Sequence, residues 1–243
     1  LPTWSLTATS PSGSRSRGDD TEDLNLLVCS DLHGSEQAAE LLVNAAQPED
    51  YDLALICGDF TTSGSPEFAR KLIKRIKVKV LAVPGNCDTP ELVTVLKKAH
   101  ASLHNESAVF GGWEFFGCGG GVPTSSGMPF EIEEKEIEST LRSVAKKGGV
   151  MVTHTPAYGM NDRGRSGNHG GSKAVLRIAQ EFGPVLALAG HMHESRGKQV
   201  LGGTVFVNPG SLRSGLYASI WLGDEIKVKF HEDPNISGDR KTY

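Results

Sequence analysis

Three times between residues 24 and 99 the chain repeats one unit: a short apolar run, a polar stop, then a helix start. "LNLLVCS" stops at Asp31-Leu32-His33-Gly34, and Ser35 is placed to cap a helix through "EQAAELLVNAA". "DLALICG" stops at Gly58-Asp59. Ser65-Pro66-Glu67 then reads as N-cap, first-turn proline and acidic first turn of a helix over about 66–76. "VKVLAV" stops at Gly85-Asn86, and Thr89-Pro90-Glu91 repeats the start for a helix reaching Ala99. Near-continuous apolar runs of this length suit strands buried on both faces. Strands alternating with helices build a largely parallel sheet, which makes this an α/β protein. In such sheets ligands bind just beyond the strands' carboxyl ends.

The second half keeps the rhythm with changes. "SAVFGGWEFFGCGG" predicts a hairpin about Gly111-Gly112, followed by a Gly-rich loop over 117–127. That loop lacks the Gly-Lys-Ser/Thr ending of a phosphate-cradling P-loop. "EEKEIESTLRSVAKKGG" puts Ile137, Leu141 and Val144 on one helical face and ends at Gly148-Gly149. "VMVTHTP" is a strand ending at His154, and the polar loop 155–171 leads to a helix capped by Ser172 and closed by Gly183-Pro184. "VLALAGHMH" ends at His191 and His193, and the remainder is β-rich: "TVFVNPGS", "LYASIWL", "EIKVKF". Residues 24–231 read as one domain, between a flexible or appended tail, 1–23, and a C-terminal tail, 232–243.

Composition narrows the functional classes. A formal charge of -4 gives no general pull toward nucleic acid or an anionic membrane. The basic run from Arg70 to Lys79 alternates with apolar residues, as a solvated helix face leading into a strand does. No apolar stretch is long enough to span a membrane, and the first residues lack a signal peptide's apolar region. Four cysteines, Cys29, Cys57, Cys87 and Cys118, are too few for a disulfide framework in 243 residues, so a reducing, cytoplasmic setting is expected. The sequence leaves a homo-oligomer open.

Seven metal-ligating side chains stand at strand ends: Asp31, His33, Asp59, Asn86, His154, His191 and His193. Taken singly, Asp59 could close a turn and His154 could bond a backbone carbonyl. In "SDLHG" and "GHMHE", however, the period-two geometry of extended chain is expected to project both side chains one way. Gathered at one sheet edge, such groups offer mixed nitrogen and oxygen ligands to two divalent ions. Imidazole and carboxylate together suit Mn, Fe, Co, Ni or Zn, manganese placed first, and not calcium.

The ordered set "DLHG", "GDF", "PGNCD", "THTP", "GHMHE" and "NPGS" resembles the calcineurin-like metallophosphoesterase superfamily. The resemblance implies a four-layer α/β/β/α sandwich of two mixed sheets with a dinuclear site at the strand carboxyl ends. One metal would take Asp31, His33 and His193, the other Asn86, His154 and His191, with Asp59 bridging. A water or hydroxide between them would attack a small phosphoester substrate in line, with no covalent enzyme intermediate. The catalytic set is then Asp59, Asn86, Cys87 and Asp88. The family's common pattern has His where this chain has Cys87. The Gly-Asn-Cys-Asp variant resembles a bacterial and archaeal branch of small phosphodiesterases, weak on monoesters. Losing that proton donor penalises poor leaving groups. Cys87 is ranked first as a site-wall residue, then weak proton donor, ligand and nucleophile. Asp88 either orients a neighbouring site group or belongs to the capping turn.

Asn208-Pro209-Gly210-Ser211 reads as a turn beside the site. Arg163, Arg165, Asn168 and His169 make the 155–171 loop a candidate substrate lid. The rival readings are a phosphomonoesterase or nuclease on the same site, or a non-catalytic metal-binding scaffold. The near-neutral charge and the lack of a basic groove signature argue against the nuclease.

Overall fold

A computed structural model describes residues 21–125 and 127–236. Most of the N-terminal tail, 1–20, and residues 237–243 of the C-terminal one lie outside the described residues. In chain order the elements are β1 (Leu24–Cys29), α1 (Glu36–Ala45), β2 (Leu53–Ile56), α2 (Glu67–Arg75), β3 (Lys79–Ala82), α3 (Glu91–Lys98), β4 (Glu106–Phe110) and β5 (Trp113–Cys118). Then come α4 (Glu134–Val144), β6 (Val150–Thr153), α5 (Lys173–Phe182), β7 (Leu186–Leu188), β8 (Gly197–Leu201), β9 (Thr204–Asn208), β10 (Leu216–Leu222) and β11 (Ile226–Glu232). Two single 3-10 turns, His193–Ser195 and Leu212–Ser214, punctuate the last third.

The strands form two mixed sheets, ordered β11-β10-β1-β2-β3 and β4-β5-β6-β7-β9-β8. In the first, β1, β2 and β3 run parallel while β10 pairs antiparallel with β1. In the second, β5, β6, β7 and β9 are parallel, with antiparallel β4 and β8 at the edges. The inner strands are largely apolar because both faces are covered, while the edge strands β4, β8 and β11 alternate with polar residues and are partly exposed. Along β1, Leu26 and Val28 point between the sheets, where Leu55, Leu81, Phe115, Val152, Leu188 and Ile220 meet them. Leu27 and Cys29 point the other way, against Leu42, Leu72 and Leu96 of α1, α2 and α3. Phe116, Met151 and Phe206 do the same on the far side against Ile137, Leu141 and Ile178 of α4 and α5. Each such fully buried leucine or phenylalanine contributes about 1.5–3 kcal/mol. The result is the α/β/β/α sandwich.

Ser35 and Ser172 cap their helices as read, whereas α2 and α3 start one residue later than read, with Pro66 and Pro90 at the N-cap in place of Ser65 and Thr89. Ser35 Oγ accepts from the Ala38 amide and Ser172 Oγ from the Val175 amide, both at 3.2 Å. Gly111 and Gly112 turn the β4–β5 hairpin with φ of 55° and 77°, the left-handed pair a two-residue hairpin needs. Cys29, Cys57 and Cys118 are buried free thiols. At the tail boundaries, Trp113 Nε1 donates to the Glu22 carbonyl at 2.8 Å, and Ile236 is buried beside Gly215. No helix among the described residues is long and apolar enough to cross a membrane.

Candidate metal centre

The loops that follow β1, β2, β3, β6 and β7 converge on one edge of the sandwich and bring the seven strand-end residues together. Their backbone is not extended there. Asp31, His33, Asp59 and His191 have φ of 59°, 50°, 54° and 66°, the left-handed region. The expected period-two projection of "SDLHG" and "GHMHE" is therefore wrong: each strand ends before its first ligand, and the pairs meet through kinked backbone. Long-range bonds impose the kinks. The Asp31 amide donates to the Gly58 carbonyl at 3.0 Å, His33 to Asp59 at 2.9 Å and Gly34 to Phe60 at 2.8 Å. Non-glycine residues held this way cost about 1–3 kcal/mol each and persist only where the surroundings over-determine them. Glycine makes room for the ligands. A Cβ on Gly85 would lie 2.0 Å from Asp59 Oδ1, and one on Gly190 would lie 1.8 Å from Ser30 Oγ and 2.7 Å from Asp31 Oδ2.

The side chains form a continuous donor surface. His193 Nε2 lies 3.1 Å from Asp31 Oδ1 and 3.3 Å from His33 Nε2. Asp59 faces both ways, with Oδ2 3.7 Å from His33 Nε2 and Oδ1 3.5 Å from His154 Nε2. His154 Nε2 is 2.8 Å from Asn86 Oδ1. The His191 ring packs edge-on against His154 at 5.0 Å, and its amide donates to Asp31 Oδ2 at 3.1 Å.

Three observations fit this surface to cations. Asp31 Oδ1 is buried and no hydrogen bond reaches it among the described residues. The Cys57 carbonyl can only accept, so His154 Nδ1, at 2.7 Å, carries the imidazole's proton. Nε2 then presents a lone pair to Asn86 Oδ1 and Asp59 Oδ1, three acceptors with no proton among them. Finally, burial lowers the pKa of His33 to about 4 and of His191 to about 3, which keeps both neutral and able to ligate. Burial opposes ionisation of Asp31, yet His193 beside it holds its carboxyl well below the usual range. Burial, with Asp31 nearby, raises Asp59 instead, as for a carboxylate in need of a positive partner. The ligand atoms of Asp31, His33 and His193, and those of Asp31, Asp59 and His154, each lie within 4.8 Å of one another.

Cys87 stands inside this set. Its sulfur lies within 4.8 Å of the ligand atoms of His33 and Asp59, and its amide donates to Asp59 Oδ1 at 2.8 Å. Burial and then Asp59 push the thiol's pKa well up, so it stays protonated. Asp88 is fully buried and binds neither the capping turn nor a ligand side chain. Its carboxylate accepts from the amides of Gly85, Phe60 and Thr61 at 2.8, 3.1 and 2.8 Å, stapling the β3–α3 loop to the β2–α2 loop that carries Asp59. Asn208 Nδ2 donates to the Met192 carbonyl at 2.9 Å and Ser211 Oγ to the Asp31 carbonyl at 2.9 Å, so the "NPGS" segment braces two ligand loops.

The 155–171 loop is tied down. Buried Asp162 accepts from His169 Nδ1 at 2.7 Å and from the Gly159 and Gly171 amides. Arg163 and Ser195 exchange two hydrogen bonds, and Arg165 pairs with Glu194 at 2.8 Å. Sequence reasoning missed Thr62, whose Oγ1 lies 3.1 Å from His33 Nδ1, and Arg213, which lines a cleft with His33 and His193. Thr62's closeness to Asp59 in sequence was its only available signal.

Comparison with known proteins agrees with this geometry. The family model for calcineurin-like phosphoesterases matches residues 24–195. An uncharacterized protein of Methanocaldococcus jannaschii is 32% identical over 197 residues, which cover 76% of this chain and 88% of that one. The structure of TT1561 from Thermus thermophilus superimposes with a TM-score of 0.68 at 18% identity, covering 86% of this chain and 99% of that one. A structure described as a novel archaeal phosphodiesterase gives a TM-score of 0.50 at 18% identity, covering 86% and 100%. The two structural likenesses speak to the fold alone.

Proposed function

This chain belongs to the calcineurin-like phosphoesterase family, and on that premise we propose that it is a metal-dependent hydrolase of small phosphodiesters. The observation that carries the diester reading is the shape around the ligands. Two clefts, of about 620 and 680 Å3, both reach His33 and Thr62. A diester has two arms to place, a monoester one.

Asp31, His33 and His193 would hold one divalent ion and Asn86, His154 and His191 the other, with Asp59 offering an oxygen to each. Manganese is placed first. Bound there, the ions supply Lewis acidity that neutralises phosphoryl charge and acidifies water. The protein's own part is positioning. The Cys57 carbonyl fixes the His154 tautomer, the Cys87 amide holds Asp59 Oδ1, and Asp88 fixes the loop beneath. Cys87 supports the reading from another side. A thiol kept protonated by burial is a weak acid to offer an alkoxide, so esters with good leaving groups react best. Four free thiols suit a reducing, cytoplasmic setting.

The test strips the protein of metal, refills it separately with Mn, Ni, Co and Zn, and compares an aryl phosphodiester with the aryl phosphomonoester. Metal-dependent diester cleavage that exceeds monoester cleavage, and is lost in Asp59→Asn, is the expected result. Two bound ions with no turnover of any ester would overturn the reading in favour of the scaffold.

A further inference from the structure

The two clefts that meet at His33 and Thr62 are lined by different chemistry. The one toward His193 carries charges of both signs, from Arg165, Arg196, Arg213, Glu194 and Glu232. The other, of about 680 Å3, runs between α1 and α2 over a floor of carbon. Ala39 of α1 and Leu72 of α2 lie buried beneath it, and the half-buried ring of Phe68 stands beside them.

The polar side chains along this groove are already engaged. Thr61 Oγ1 donates to Asp88 Oδ1 at 3.1 Å, Thr62 Oγ1 lies 3.1 Å from His33 Nδ1, and Ser65 Oγ accepts from the Glu67 amide at 3.2 Å. Glu67 pairs with Arg70 on its own helix. Arg75 makes two bonds of 2.6 Å to the Glu40 carboxylate, and they strap α2 to α1 at the end far from His33. Glu36, Lys71 and Lys74 are exposed at the rim, charges of both signs within reach of water. From Phe68 to Arg75 the groove follows two turns of helix, roughly 10 Å at 1.5 Å per residue. A polar arm entering here sheds its water and meets carbon beneath it, at a cost. An apolar arm covers Phe68 and sheds its water at a gain.

We propose that the α1–α2 groove binds one ester arm of the substrate, that this arm is an apolar alkyl or aryl group, and that Phe68 is its specificity-determining residue. This rests on the diesterase reading and adds the chemical class of one arm. The groove is continuous with the metal centre through His33 and Thr62, and the Arg75–Glu40 strap closes its other end, so the arm has a fixed start and a limited length.

The test uses methyl-, propyl- and hexylphosphonate, whose carbon–phosphorus bond is not hydrolysed and whose single arm takes whichever cleft suits it. Their binding to manganese-loaded full-length protein is read by calorimetry. Hexylphosphonate is expected to bind about thirtyfold more tightly than methylphosphonate, about twofold for each half-covered methylene. That gain is expected to fall below about threefold in Phe68→Gln and to survive for the most part in Phe68→Leu. A hexylphosphonate carrying a terminal diazirine, photolysed on the wild-type protein, is expected to leave its adducts within residues 36–40 or 68–75. The labelling decides the matter even where Phe68→Gln does not fold. No gain with chain length in the wild type, a gain undiminished in folded Phe68→Gln, or adducts confined to other segments each overturns the inference. A chain-length gain with adducts in the groove, but no turnover of any aryl ester, overturns the diesterase reading and keeps the apolar subsite.

Discussion

Asp59 is the residue on which the site turns. One carboxylate oxygen looks toward His33 and the other toward His154, so a single side chain joins two donor groups. Replacing one oxygen with an amide group removes an anionic ligand from one side. Asp59→Asn is expected to lower metal-dependent turnover by about a hundredfold or more, in line with losing a group that positions a metal ion, and to weaken binding of the second metal equivalent in a titration. Cys87 sits where leaving-group chemistry can be altered without touching a strand. A Cys87→His protein is expected to raise the monoester-to-diester rate ratio by at least about tenfold, since a positioned general acid is worth roughly that much or more. An unchanged ratio would detach Cys87 from leaving-group departure.

Loops, not strands, set the geometry, and they are held by a few buried acceptors. Asp88 satisfies three backbone amides from two loops. Asp88→Ala leaves those donors unpaired in a dry interior and is expected to cost about 3 kcal/mol, read from the shift in a urea midpoint. His104 anchors the Gly-rich loop in a similar way, its Nδ1 accepting from the Gly119 amide at 3.0 Å. Burial, then the charge of Lys97, depresses its pKa below the ordinary 6.5. Its stabilising effect is therefore complete above about pH 6.5, where the imidazole is neutral in both states, and is lost as pH falls toward the folded pKa. Between those limits His104→Gln is expected to lose stability with falling pH less steeply than the wild type, by up to one proton's worth of slope.

The strands and the seven donors were legible in the sequence because each donor interrupts or follows an apolar run. How they are held was not. The left-handed φ of Asp31, His33, Asp59 and His191 comes from backbone bonds to distant loops, which no local pattern announces. Asp88 read either as orienting a site group or as part of a capping turn, and its loop-stapling role was hidden because its partners Phe60 and Thr61 lie 28 and 27 positions earlier. Arg213 stands alone in a turn with no spacing to mark it.

At the scale of the whole molecule the donors divide between the two layers of strands. Asp31, His33, Asp59 and Asn86 follow strands of the five-stranded sheet, and His154, His191 and His193 follow strands of the six-stranded one. Ions bound between them would tie the sheets together at one edge. Metal at a hundredfold excess over its dissociation constant is expected to raise stability by about 2.7 kcal/mol. Calorimetric melting should show a chelator-sensitive rise in Tm that is smaller in Asp59→Asn.

The register of β10 has one more consequence. Leu24 to Val28 pair residue by residue with Leu222 to Ala218, so the strand that launches the first two donors is propped by chain made almost two hundred residues later. Every donor has been made once His193 is synthesised, but their support has not. Until β10 docks, β1 is an open edge with Asp31 unanchored by Ser211. During synthesis the nascent chain should therefore hold a full complement of ligands and no working centre, and metal capture should be among the last events of folding.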